Sequence, residues 1–181
     1  IACFNIAHGR GSGPSNWNGE DAETRENRLK EIAAFLRAAE LDIVVLNEVD
    51  FDSTWSRGVN QAEFLAREAG FQWRLEQRNF DLSLPGFRLA FGNAVLSRHP
   101  ITAARWVELP AAARWESVLA GQKSGCVCTI EWIDGRSLRL FPVHLSYRSE
   151  AVRIAACRTI RAEFDHQPTP MIVAGDFNST P

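Results

Sequence analysis

No apolar run in this 181-residue sequence approaches the roughly 20 residues needed to cross a bilayer, which excludes a transmembrane helix. Neither sign of charge is in excess. Twenty Lys and Arg face 22 Asp and Glu, for a formal net charge of -2. That balance disfavours tight non-specific binding to nucleic acid and leaves room only for a local groove. Cysteine is scarce and scattered, at Cys3, Cys126, Cys128 and Cys157. Such spacing excludes a disulfide framework and a zinc site, and the four read as buried thiols. Nucleophile and nucleotide motifs are missing too, with no G-x-S-x-G, no P-loop and no G-x-G-x-x-G. Gly9-Arg10-Gly11-Ser12-Gly13 is glycine-rich but lacks the Lys-Ser/Thr of a P-loop. It reads as a flexible loop, with Arg10 a weak candidate for a phosphate contact. There is no repeat, no low-complexity tract and no internal domain boundary.

What is present fits one globular domain: 45% hydrophobic residues and 23% charged. Residues 1–6 are short, apolar and strand-like. Residues 8–20 form a loop rich in Gly, Ser and Asn. From Thr24 the apolar positions Leu29, Ile32, Ala33, Leu36 and Ala39 fall at helical spacing. Residues 41–46 are nearly all apolar and β-branched, as suits a strand covered on both faces. Asn60 to Glu63 resembles a capping box and Gly70 a stop, which predicts a second helix between them. Residues 71–75 read as a strand, 79–92 as a long loop, and 94–96 as a short buried strand. Asp134-Gly135 between two strand-like runs is a strong hairpin signal. Val152, Ala156, Ile160 and Phe164 mark a third helix, and residues 171–174 a last buried strand. His166 reads as a solvated residue at the end of that third helix.

Four of these strands end alike. Apolar residues run into Asn5, into Asn47-Glu48, into His144, and into Asp176-Phe177-Asn178. Ligands of open α/β sheets bind outside the carboxyl ends of strands. His144 also shares strand parity with Leu138 and Leu140, so it lies on a core-facing side. Glu48 and Asp176 are hard oxygen ligands, and Asn5 and Asn178 carry amide oxygens. Such an inventory suits Mg²⁺ or Mn²⁺ rather than zinc. A divalent ion beside His and Asn donors is well built to stabilise charge on a phosphoryl oxygen.

With these segments in hand, the chain resembles the endonuclease/exonuclease/phosphatase superfamily of deoxyribonuclease I-like proteins. Phe4-Asn5-Ile6-Ala7-His8-Gly9 resembles its opening strand motif. Residues 41–49, ending in Leu46-Asn47-Glu48-Val49, resemble its metal-binding motif. Gly92-Asn93-Ala94-Val95-Leu96-Ser97-Arg98 resembles the central strand. Val143-His144-Leu145, with Arg153 downstream, resembles the histidine motif, and Gly175-Asp176-Phe177-Asn178 the last one. Five motifs in order make the resemblance specific, and it covers the chain from end to end.

The resemblance implies a four-layer α/β sandwich of two mixed sheets with outer helices. It implies a metal-dependent hydrolase of phosphate esters, a phosphodiesterase using in-line water attack. The alternatives are a Mg²⁺-dependent nuclease and a non-catalytic binding module that keeps the fold. Glu48 would be the principal metal ligand for Mg²⁺, with Mn²⁺ the substitute, and Asn5 would assist. His144 would donate to the scissile phosphate, Asp176 would orient the water, and Asn178 would bond the phosphoryl group. Arg57 and Arg88 are weaker substrate-binding candidates. The segment after Glu48 resembles a bacterial branch of phosphodiesterase-like hydrolases. Trp17 and Trp55 lie in loops beside motif strands, where they could pack a sugar, a base or a headgroup, or cover the core edge. No apolar hairpin tip stands out.

There are two departures from the family pattern. Asn47 stands where Gln is common, and no role is carried onto it. The late strand and Asp-His pair of the family are absent from the sequence. Residues 1–181 are therefore expected to be one domain truncated before its final strands, part of a longer protein. The expected partner is a phosphate-ester substrate. No motif fixes the compartment or the oligomeric state; a soluble, cytoplasmic protein is the default expectation.

Overall fold

The computed structural model describes residues 1–13, 15–17, 21–110, 124–165 and 168–179. His166 lies outside them, so its placement at a helix end stays an expectation. Among the described residues there are eight strands and three α-helices. The strands are β1 (Ala2–Asn5), β2 (Ile43–Asp50), β3 (Trp73–Leu84), β4 (Phe87–Ser97), β5 (Ile101–Glu108), β6 (Ser124–Glu131), β7 (Ser137–His144) and β8 (Met171–Asp176). The helices are α1 (Ala22–Ala38), α2 (Gln61–Ala69) and α3 (Glu150–Phe164).

Local sequence explains the helix ends. The Asp21 carboxylate accepts the Thr24 N–H at 2.6 Å and starts α1 two residues before the expected Thr24. The Asn60 side chain accepts the Glu63 N–H at 3.0 Å and starts α2. Gly70 ends α2 with φ +78°, a left-handed conformation that suits glycine. Asp134 and Gly135 both take positive φ, at 62° and 71°, and turn β6 into β7 as their sequence predicts.

The strands form two four-stranded mixed sheets, ordered β1-β2-β4-β3 and β5-β6-β7-β8. Each carries one parallel pair, β1 with β2 and β7 with β8, and the other pairs are antiparallel. β2 is buried on both faces, because its residues alternate between two cores. Val44 and Leu46 pack with Leu29, Leu36 and Leu65 of α1 and α2. Ile43 and Val45 pack with Val95, Cys128, Ile130 and Leu140 between the sheets. On the far side, Phe141 and Val143 meet Ala156 and Ile160 of α3. The result is a helix–sheet–sheet–helix sandwich of four layers.

Several expectations change. Residues 79–92 are not a long loop. They complete β3, turn at Pro85-Gly86, where Gly86 has φ +73°, and begin β4. Register pairs Leu84 with Phe87, and Asn93 with both Gln77 and Asn47. The hairpin therefore continues six residues past the level of Asn47, about 20 Å at the usual rise. Beyond the sandwich neither face must be apolar, so Asn79, Asp81, Ser83 and Arg88 hide the strand pattern. Its tip does carry exposed apolar side chains, Leu82 and Leu84, contrary to the expectation that none would stand out. β5 was not anticipated either; most of its side chains are exposed, so no periodic apolar face marks it. Finally, only Cys126 and Cys128 are buried, whereas Cys3 and Cys157 are exposed.

Candidate active site

Asn5, Glu48, His144 and Asp176 come together at one end of the sandwich, where β1, β2, β7 and β8 finish. Register places His144 beside Asp176 across the parallel β7–β8 pair, and Asn5 beside Asn47 across β1–β2. His144 lies on the same side of β7 as Leu140, facing between the sheets, as its parity predicts.

Glu48 reaches this point through a β-bulge. The register with β4 slips between Asn47 and Val49, and Glu48 has φ +53°. A bulge re-aims a side chain, and here it frees Glu48 from the alternation that buries its neighbours. Its Oε1 accepts from Asn5 Nδ2 at 3.0 Å and lies 4.0 Å from His144 Nε2. The same Asn5 Nδ2 donates to Asp176 Oδ2 at 3.1 Å, and that oxygen lies 3.9 Å from His144 Nε2. Asn5 Oδ1 accepts the Ala7 N–H at 2.9 Å, which fixes the orientation of the amide. Asn5 thus turns its nitrogen to both carboxylates. Gly175 makes the approach of β8 to β7 attainable. At φ +137°, a Cβ there would stand 2.0 Å from Val143 O.

Two carboxylates that share one amide donor and face one imidazole repel each other without further positive charge. This donor set fits a hard divalent cation, which commonly takes one or two protein carboxylates and keeps waters. Among the described residues, no group of three or more His, Cys, Asp or Glu side chains is already placed to hold a metal ion, so the carboxylates would have to be completed by waters.

The residue before Glu48 is a finding that motif reading missed. Asn47 is 1% exposed and joins the two sheets. Its Nδ2 donates to Asn93 Oδ1 at 2.8 Å and to Val143 O at 2.9 Å, and its Oδ1 accepts the Asp176 N–H at 3.0 Å. Its departure from the family's usual Gln was visible, but its cross-sheet partners Val143 and Asp176 lie 96 and 129 residues away. His8 and Asp50 were missed as well. The His8 ring is buried, with Nδ1 2.8 Å from Asp50 Oδ1 and Nε2 3.7 Å from Glu48 Oε2. Their signal was present: a histidine three residues after Asn5 and an aspartate two after Glu48.

Other expected residues stand further out. Asn178 Nδ2 donates to Leu145 O at 2.9 Å, and its N–H to Asp176 Oδ1 at 2.9 Å, so it ties together the segments leaving β7 and β8. Arg88 pairs with Asp81 across the hairpin at 3.1 Å, and its N–H bonds Thr54 Oγ1 at 2.8 Å. Arg57 is exposed and close enough to Asp21 to help lower its pKa, behind the hydrogen bonds from Thr24. Neither arginine has a described contact with Glu48, His144 or Asp176. Arg10 bonds Asn16 Oδ1 at 3.0 Å. An aromatic series borders the site: His8 meets Trp55 and Phe91 edge-on, and Trp55 meets Trp17 edge-on. Trp17 in turn stacks on Phe87 of the hairpin with planes 8° apart. A separate concavity of about 540 Å³ lies between α3 and residues 177–179, lined by Ile154, Cys157 and Phe177 and not by Asn5, Glu48, His144 or Asp176.

The Endonuclease/Exonuclease/phosphatase family profile matches residues 2–181. The chain belongs to this family. An endonuclease/exonuclease/phosphatase from Beutenbergia cavernae DSM 12333 superposes with a TM-score of 0.67 at 26% identity, over 98% of this chain and 46% of its own. Sphingomyelinase C from Streptomyces griseocarneus gives 0.67 at 20% identity, over 98% and 63%. ANGEL2, a 2′,3′-cyclic phosphatase, gives 0.66 at 17% identity, over 99% and 52%. The chain thus spans 46 to 63% of the length of these structures. None of the curated protein sequences matches it. No helix among the described residues is long and apolar enough to cross a membrane.

Proposed function

We propose that this domain hydrolyses phosphodiesters by in-line attack of water, with a divalent cation, Mg²⁺ or Mn²⁺, held at Glu48. The observation that carries the reading is the meeting of Glu48, Asp176 and His144 around Asn5 Nδ2. The cation would neutralise charge developing on a phosphoryl oxygen. Asn5 holds the two carboxylates at a fixed separation. Asp176 orients the attacking water and takes part of its developing positive charge. His144 donates from Nε2 to a non-bridging oxygen, where the charge grows in the transition state. Asn178 keeps Asp176 and the end of β7 in register.

The aromatic border favours a diester carrying a planar or apolar group over a bare monophosphate. Balanced charge argues against tracking along DNA. The test is Mg²⁺- and Mn²⁺-dependent hydrolysis of a chromogenic phosphodiester by the full chain. Glu48→Ala and His144→Ala should each abolish it, and activity retained in both would disprove the assignment. Parallel assays with single- and double-stranded DNA and RNA separate a small-diester enzyme from a nuclease.

A further inference from the structure

Resting on the reading that Glu48 holds a divalent cation, we propose that His8 supplies a nitrogen ligand to that cation and tilts the site from Mg²⁺ toward first-row transition ions such as Mn²⁺. His8 Nδ1 lies 2.8 Å from Asp50 Oδ1. Asp50 is 0% exposed, and its Oδ2 accepts from Trp55 Nε1 at 2.8 Å. A carboxylate accepts and does not donate, so Nδ1 carries the proton of the first bond. That leaves Nε2 to meet a ligand. Metal-bound histidines are held in this way, with the other ring nitrogen donating to a carboxylate.

Nε2 faces Glu48 Oε2 at 3.7 Å, beyond hydrogen-bond length. Two ligands of one octahedral ion with bonds of about 2.1 Å stand about 3.0 Å apart when adjacent and about 4.2 Å when opposite. The observed 3.7 Å is about 0.7 Å longer than the adjacent separation, so joint coordination requires the Glu48 carboxylate to move toward the ring.

The ring is also packed by two aromatic side chains, and its backbone is held. Trp55 and Phe91 pack edge-on at 5.5 and 5.6 Å. Gln61 Nε2 donates to His8 O at 2.8 Å, and Gln61 Oε1 accepts the Asp50 N–H at 3.0 Å. One side chain from α2 therefore fixes both members of the pair. His8 itself has φ +56°, which non-glycine residues adopt rarely. This much support for one histidine, aimed at the principal carboxylate, exceeds what filling space requires. The ion's affinity follows its ligands. Mg²⁺ prefers oxygen and water, whereas an imidazole raises affinity along the transition series.

The experiment loads the full chain with Mn²⁺ and reads directly bound ¹⁴N by pulsed electron paramagnetic resonance. The wild type should show nitrogen coupling. His8→Ala and His8→Asn should lose it, and His144→Ala should keep it. By titration calorimetry, His8→Ala and Asp50→Asn should each weaken Mn²⁺ about tenfold or more. Mg²⁺ affinity should change far less, so the Mn²⁺ preference collapses. Absence of coupling in the wild type, its persistence in His8→Ala, or its loss in His144→Ala overturns the proposal. The wild-type spectrum needs no variant, so the test survives a His8 substitution that fails to fold. Glu48→Gln separates the two ideas. If it leaves Mn²⁺ affinity unchanged, the cation is not at Glu48 and the parent reading fails. If it abolishes binding while His8→Ala keeps the nitrogen signal, only the His8 assignment fails.

Discussion

The side-chain oxygen of Asn47 accepts the backbone N–H of Asp176 at 3.0 Å, although the two residues belong to different sheets. The residue next to the candidate metal ligand therefore sets the position of the carboxylate proposed to orient water. Asn47→Ala strips partners from Val143 O and the Asp176 N–H inside a buried seam. The expected loss is about 2–4 kcal/mol of stability, seen as a lower urea midpoint. Asn47→Asp keeps the acceptor but replaces the donor by an oxygen facing Val143 O, and should fare little better. A fully stable Asn47→Ala protein would show that the sheets are aligned without it.

Glu48 offers the opposite trade. Its left-handed backbone is strained for a residue with a Cβ, and its carboxylate faces Asp176. Glu48→Gly should raise stability by about 1 kcal/mol, or roughly 2–4 °C in Tm for a chain of this size, while abolishing turnover. A drop in Tm would mean that the contacts of Glu48 outweigh the strain of its bulge.

The cysteines divide by exposure. Burial pushes the Cys126 thiol up to about 11 and the Cys128 thiol up to about 12. At pH 8 a maleimide should label Cys3 and Cys157 quickly and leave the other two unmodified until unfolding, as mass spectrometry of timed samples would reveal. The sign of the pH effect follows. Unfolded thiols titrate near 9 and these folded ones later, so their contribution is complete below pH 9 and is lost as pH rises. Cys126→Ala with Cys128→Ala should flatten the fall in Tm between pH 9 and 11.

Trp17 is 56% exposed yet stacked on Phe87, beside a site whose proposed substrates carry rings or apolar chains. Trp17→Ala should raise KM about tenfold for an aryl or nucleoside diester, in line with roughly 1–2 kcal/mol per stacking contact, with kcat nearly unchanged. The same variant should bind dimethyl phosphate as the wild type does. Equal losses on both ligands would assign Trp17 to the scaffold instead.

How much of this was legible beforehand depended on whether a residue's neighbours in the chain were also its neighbours in space. β2 declared itself because both its faces are buried, and α2 because Asn60 and Gly70 punctuate it. Glu48, His144 and Asp176 stood out because a polar residue directly after an apolar strand is conspicuous. Asn47 stood at such an end too, but its role did not show, since it lies in Asn93, Val143 and Asp176, each far along the chain. The bulge that aims Glu48 leaves no local mark either, because no glycine signals it. Residues 79–92 failed for a different reason. Strand periodicity records burial, and a hairpin that leaves the sandwich has little burial to record.

That protruding hairpin separates two kinds of sequence freedom. Up to Asn93 its strands are bound by the cores on either side and by the seam at Asn47. From Gly92 to Ala90 the strand still pairs with β2 and bonds Phe51 and Ser53; past Ala90 the described contacts are the hairpin's own pairing, the stack of Trp17 on Phe87 and the bond from Arg88 N–H to Thr54. Substitutions, or a lengthened tip, there change what the rim can touch without reaching Glu48, His144 or Asp176. In such a scaffold, contacts at the rim can diversify by drift in one projecting ribbon while Asn5, Glu48, His144 and Asp176 stay fixed.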